Sequence, residues 1–386
     1  MINREELDYL IDYLLTENEV YKDVLKNPDR FNRKKDMFRT LCNFRLPKEI
    51  DPEFLVRYDK FMDELIAEKD IIDVQNIKTL KELYPINKYK NADKIAILKA
   101  DITSIKIDAI VNSANPKMEG CYIPLHKDCV NNSIHFYAGI ELKNECKRYL
   151  GELGKNFIVK GKGIVTDAFH LPCKKIIHMV VNESNGFPKE EDYAFLINTY
   201  KKALRKLVRK NLRTIAYCSL GTGAYKFPKK ETLTRVLKMV DEFLDENREN
   251  IDKVVLVEYT LENFKILENI VLENENILKN EKNIMPKTSK ITSKTEKEKL
   301  LKLDLENKLK TKENRVGRNI IEEMTKRLEG ENNEFVNQDY IRKVDRPKYE
   351  KIIYTLLPEE EIIYDDYSFL EEIRKNRRKK KPNLHK

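Results

Sequence analysis

Apolar positions follow two different periods along this chain of 386 residues. Near the start, Leu7, Leu10, Ile11, Leu14 and Leu15 recur at i, i+3, i+4, i+7 and i+8. That spacing puts one apolar stripe on a helix. A second stripe, Phe54, Leu55, Tyr58, Phe61, Met62 and Leu65, follows Asp51-Pro52, a pair suited to opening a helix. From Ile95 the pattern changes to alternation and then to an unbroken apolar run at 107–111, which predicts strands with the last one buried. Residues 214–220 predict another buried strand. Leu233, Val236, Leu237, Val240, Phe243 and Leu244 predict a helix over about 229–247.

The buried strands end in residues suited to binding. Asn112-Ser113-Ala114-Asn115-Pro116 follows the first, where open α/β sheets bind their ligands. Asparagine offers donors and acceptors without charge, which suits a hydroxyl-rich group such as ribose, although Asn-Pro is also ordinary turn punctuation. The strand at 214–220 runs into Gly221-Thr222-Gly223-Ala224-Tyr225-Lys226-Phe227-Pro228. A strand, a glycine-rich turn and a helix can cradle phosphate with backbone N–H groups, or the glycines can serve the bend alone. The segment has neither the P-loop nor the dinucleotide fingerprint. Between these sites Cys121, His126 and Cys129 fall within nine positions. Two thiolates and one imidazole match a zinc ion whose fourth position stays open to water or substrate. The spacing alone leaves open three unrelated loop residues.

Taken in order, these segments resemble the macrodomain family, and within it the zinc-containing branch of microbial ADP-ribosyl hydrolases. The resemblance rests on Ala100-Asp101-Ile102, Asp108 to Asn115, Gly120 to Pro124 with His126 and Cys129, Ser133-Ile134-His135 with Ala138-Gly139, and Gly221 to Pro228. It covers about residues 20–265, with Arg39 to Pro47 matching the helical N-terminal extension of that branch. It implies an α/β fold with a mixed, mostly parallel sheet between helices, and hydrolysis of mono-ADP-ribose from protein side chains. By that resemblance Asp101 accepts from the adenine amino group, Ile102 packs beside the adenine, and Asn112 and Asn115 face the distal ribose. Gly221, Thr222, Gly223, Ala224 and Tyr225 wrap the diphosphate, and Tyr225 or Phe227 lines the distal-ribose side. Cys121, His126 and Cys129 hold zinc near that ribose. The implied partner is ADP-ribose or an ADP-ribosylated protein, in some bacteria a lipoyl-carrier protein.

Three departures bear on activity. By the resemblance Asn115 and Asn131 are the expected catalytic positions, but Asn131 stands where the family usually has an aspartate; it can orient a group and cannot take a proton, so slower catalysis or catalysis resting wholly on zinc is expected. Lys127 and Asp128 both separate His126 from Cys129, one residue more than usual. Lys226 stands where glycine is usual in the phosphate loop, and solvent is its expected environment. A reader that binds ADP-ribose without cleaving it is the alternative that Asn131 and the stretched His126–Cys129 spacing favour. His135 and His178 sit in apolar contexts that predict packed, hydrogen-bonded histidines, and Cys42, Cys146, Cys173 and Cys218 predict reduced core thiols.

Charge modifies the picture mainly at the C-terminal end. The formal net charge is +9, with 74 Lys and Arg against 65 Asp and Glu. The expected organisation is a helical extension over 1–88, a macrodomain over 89–270, a linker over 271–299 and a charged region over 300–386. The basic run Arg374 to Lys381 could hold nucleic acid electrostatically, though a solvated tail is the simpler reading. Six cysteines without regular pairing and an N-terminus without a secretory pattern predict a reducing, cytoplasmic setting. No apolar run has the ~18–20 residues that span a bilayer. The absence of Trp and the abundance of Lys, Asn, Ile and Glu suggest an AT-rich bacterial genome.

Overall fold

The computed structural model describes residues 4–17, 34–121, 128–184 and 186–282. His126, the charged region over 300–386 and the basic run lie outside the described residues.

Among the described residues three helices come first: α1 (Arg4–Thr16), α2 (Lys34–Phe44) and α3 (Pro52–Ala67). Both predicted stripes are their buried faces, and the Asp51 side chain caps α3 by accepting from the Phe54 N–H at 2.9 Å. A short strand β1 (Ile72–Asp73) and helix α4 (Leu80–Leu83) lead into the sheet. The rest runs β2 (Ile95–Lys99), β3 (Ile105–Lys106), β4 (Ala109–Ala114), α5 (Val130–Ala138), α6 (Glu141–Glu152), β5 (Gly163–Asp167) and β6 (Lys175–Val180). Then come α7 (Glu190–Arg209), β7 (Thr214–Tyr217), α8 (Lys229–Asn247), β8 (Lys253–Glu258) and α9 (Leu261–Lys282). The predicted helix at 229–247 is α8. The α9 helix continues past 271, where a linker was expected, because Leu267, Ile270 and Val271 are buried against the core.

Six strands form one sheet in the order β2-β8-β7-β4-β6-β5, parallel except for β5 against β6. The period of two divides the apolar side chains between its faces. Val111, Ile177, Ile215 and Val254 join one cluster with α7, α8 and α9. Ile110, Ile176, Ala216 and Val255 join another, beneath α5 and α6. Burial on both faces explains why these strands read as continuous apolar runs.

The N-terminal helices pack on the α5 side. Their cluster takes in Phe136 and Ile140, and Phe38 meets Phe136 edge-on at 6.1 Å. The buried Lys143 of α6 donates to the carbonyls of Asn43 and Arg45 at 2.6 and 2.9 Å, which ties down the C-terminal end of α2. Burial pulls that ammonium down to about 7.

Candidate active site

A cavity of about 700 Å³ opens at the carboxyl ends of the parallel strands. One end is built on Asp101, just after β2. Its carboxylate accepts from Lys69 Nζ at 2.8 Å, and from the Thr103 N–H and hydroxyl at 2.9 and 2.7 Å. Burial pushes this carboxyl up, but the Lys69 ammonium and the Thr103 donors outweigh it and hold it below the usual range. Ile102 lines the cavity beside it.

The loop after β7 forms another wall, with Gly221, Thr222, Gly223, Ala224 and Tyr225 on the cavity. Gly221 has φ +80°, and an added Cβ would come within 3.2 Å of Leu196 and Phe227. Among the described residues the amides of Gly221, Gly223 and Ala224 donate to no other group. Lys226 takes φ +58°, a left-handed conformation in which glycine is unstrained, and its side chain is exposed.

Asn115 and Asn131 both line the cavity. Asn115 braces the loop by donating to the Gly120 carbonyl at 2.5 Å. Asn131 Oδ1 accepts from Asn112 Nδ2 at 2.9 Å, and Asn112 Nδ2 also meets His178 Nδ1 at 3.0 Å. Nδ1 is therefore the acceptor, and Nε2–H faces the Thr166 hydroxyl at 3.0 Å. Asn131 keeps its own NH₂ group for other partners. Burial pulls His178 down to about 3 and His135 well below its ordinary value, so both rings stay neutral. His135 is packed as expected, but among the described residues its ring nitrogens meet no hydrogen-bond partner.

Two of the expected site residues stand back from the cavity. Asn112 does not face the cavity: it is 0% exposed and stands one layer behind Asn131, opposite His178 in the sheet. Phe227 is only 2% exposed and packs against Tyr193, so Tyr225 alone of the pair lines the cavity. The half-buried Cys121 and Cys129 border the cavity together. Cys42, Cys146, Cys173 and Cys218 are thiols whose burial pushes them far up, to about 12 for Cys42, Cys173 and Cys218.

The macro domain family profile matches residues 111–236. A protein-ADP-ribose hydrolase of Treponema medium is 33% identical over 247 residues, which are 64% of this chain and 91% of that protein. The chain belongs to the macro domain family. A protein-ADP-ribose hydrolase of Staphylococcus aureus (strain MRSA252) is 32% identical over 259 residues, covering 67% of this chain and 92% of that protein. An Oceanobacillus iheyensis macrodomain solved with ADP is 30% identical, with a TM-score of 0.41 and coverage of 47% of this chain and 92% of the other.

This macrodomain protein also brings residues to the cavity to which the sequence alone assigned no role. Arg39 of α2 is buried on the wall, donating to Asn132 Oδ1 at 2.8 Å and to the Ser133 hydroxyl at 2.9 Å. Burial pulls its guanidinium down, against the charges of Tyr137, Asp101, Asp36 and Cys129. Lys229 pairs with Glu258 at 3.0 Å, and the Ser219 hydroxyl donates to the same carboxylate. Tyr259, just past β8, is 58% exposed and lines the cavity near Asp101. An exposed aromatic beside a carboxylate directly after a sheet strand was the available signal for Tyr259. None of the described helices is long and apolar enough to cross a membrane.

Proposed function

We propose that the protein removes mono-ADP-ribose from ADP-ribosylated protein side chains, with zinc held by Cys121, His126 and Cys129. The observation that carries the reading is one cavity bordered by Asp101, by the Gly221–Tyr225 loop and by both cysteines. Proteins of matching sequence carry the name protein-ADP-ribose hydrolase.

Each end has its own work. Asp101 stays ionised and accepts from the adenine amino group, while Tyr259 offers a ring face for stacking. The amides of Gly221, Gly223 and Ala224 hold the diphosphate. Fixing these remote groups sets the distal ribose in place for reaction. Asn131 donates from Nδ2 toward that sugar or its attacking water, since Asn112 occupies its oxygen. Two soft donors on one wall, with the Arg39 charge favouring the Cys129 thiolate, suit zinc. When bound, zinc supplies an acidified water and a Lewis acid for the sugar oxygens.

The second reading, binding without cleavage, is favoured by Asn131, which cannot accept a proton. Metal analysis of the purified protein, paired with release of ADP-ribose from a mono-ADP-ribosylated substrate with and without chelator, separates the two. Chelator-sensitive release with about one thiolate-bound zinc per chain is expected. Tight ADP-ribose binding without release would leave a reader.

A further inference from the structure

Away from the cavity, three ligand-type side chains meet where the N-terminal helices join the α/β layer. Asp59 of α3, Glu141 at the start of α6 and His170 in the turn after β5 each offer one atom, all within 4.8 Å of one another. His170 Nε2 lies 3.1 Å from Asp59 Oδ1, and its Nδ1 lies 2.7 Å from Asp63 Oδ1. The imidazole side chain is only 10% exposed. It fits against Gly139, where an added Cβ would sit 3.0 Å from His170 Cδ2, and the Tyr58 ring closes on it at 6.3 Å.

We propose that Asp59, Glu141 and His170 bind a divalent transition-metal ion that staples α3 to the α/β layer, with Asp63 holding the histidine in its ligating tautomer. A neutral imidazole carries one N–H, so it can satisfy only one of the two carboxylates beside it. With Nδ1–H donated to Asp63, the Nε2 lone pair faces the Asp59 oxygen, and a cation between them resolves the conflict. Carboxylate to histidine to metal is the usual order in such sites. Ligands about 2.0–2.2 Å from one tetrahedral ion lie roughly 3.3 Å apart, close to the observed edge between Asp59 and His170. Glu141 offers its carboxylate oxygen within 4.8 Å of the other two ligand atoms. Burial, with Asp59 and Glu145 nearby, pushes the Glu141 carboxyl up, against His170, which pulls it down. One imidazole and two carboxylates suit Zn²⁺, Mn²⁺, Fe²⁺ or Co²⁺, with water completing the shell.

The test is Co²⁺ titration of the chelator-treated full chain. A site of nitrogen and oxygen donors shows weak visible bands without the sulfur charge-transfer band that cysteine ligands give. Wild type should therefore bind one Co²⁺ with no sulfur signature, in addition to any ion at Cys121 and Cys129. His170→Gln and Glu141→Gln should each lose that ion, and Asp63→Asn should weaken it by roughly 10–100-fold. Bound ion should raise the unfolding midpoint of wild type but not of Glu141→Gln, which keeps the His170 contacts to Asp59 and Asp63. An imidazolium ion pair alone would leave wild type and both variants with the same Co²⁺ stoichiometry, and that result overturns the proposal. A second ion whose spectrum carries sulfur bands, or one retained in both variants, also overturns it. These outcomes do not depend on turnover, so a failed hydrolase reading leaves them interpretable.

Discussion

The two long walls of the cavity are built from different materials. The strand-end wall, from Asp101, Asn115 and the Gly221–Tyr225 loop, presents short side chains and backbone amides. The helical wall presents Arg39, a long cation buried among Asn132, Ser133 and the rings of Phe136 and Tyr137. Amides fixed by a turn need no reorganisation to meet an anion. A buried guanidinium needs a complete set of partners to offset its desolvation. The strand-end wall is therefore specified locally, whereas the helical wall exists only when the extension is docked.

Substitutions can pull the two walls apart. Cys121→Ala carries the largest expected effect: loss of thiolate-bound metal and of ADP-ribose release, with ADP-ribose affinity largely intact. Unchanged turnover would exclude zinc from the mechanism. Arg39→Met should destabilise the fold by on the order of 3 kcal/mol, because it strips a charged donor from the buried Asn132 and the half-buried Ser133. A urea midpoint equal to wild type would mean that the helical wall does not need it. Asp101→Ala should weaken ADP-ribose by about 1.5–3 kcal/mol in calorimetry while the fold stays intact; equal affinity would move the adenine elsewhere.

Acid tests the layer behind the strand-end wall. His178 and His135 titrate lower folded than unfolded, so the unfolded chain binds more protons as pH falls. Stability should decline below about pH 6.5, by up to about 1.4 kcal/mol per pH unit for each ring. His178→Asn should flatten that decline; the same slope in the variant would assign it elsewhere. Smallest is Lys226→Gly, expected to raise stability by about 1 kcal/mol or less through relief of the left-handed backbone. A lower midpoint would mean that the lysine stem packs usefully.

Legibility in the sequence followed the same division. The helix at Lys229–Asn247 and the turn before it could be located because the stripe is long and its punctuation dense. Asn112 was misdirected for a reason that the strand period already contains. Residues three apart on a strand face opposite ways, so Asn112 and Asn115 cannot both face one ligand if the strand continues between them. Here β4 runs to Ala114. Arg39 was opaque because a cation on the polar face of an amphipathic helix is indistinguishable from a solvated one until another element covers it. Lys69 was opaque too, since its partner Asp101 is 32 residues away in the chain.

The shared packing of Phe38 and Phe136 bears on how the molecule comes apart. The helix that carries Asn131 rests on aromatic rings belonging to the first third of the chain. Heat or a protease that released α1 to α3 would leave Phe136 and Ile140 facing water and Lys143 without its two carbonyls. In hydrogen exchange the amides of α5 and of α2 should then open together, as one cooperative unit, ahead of the central strands.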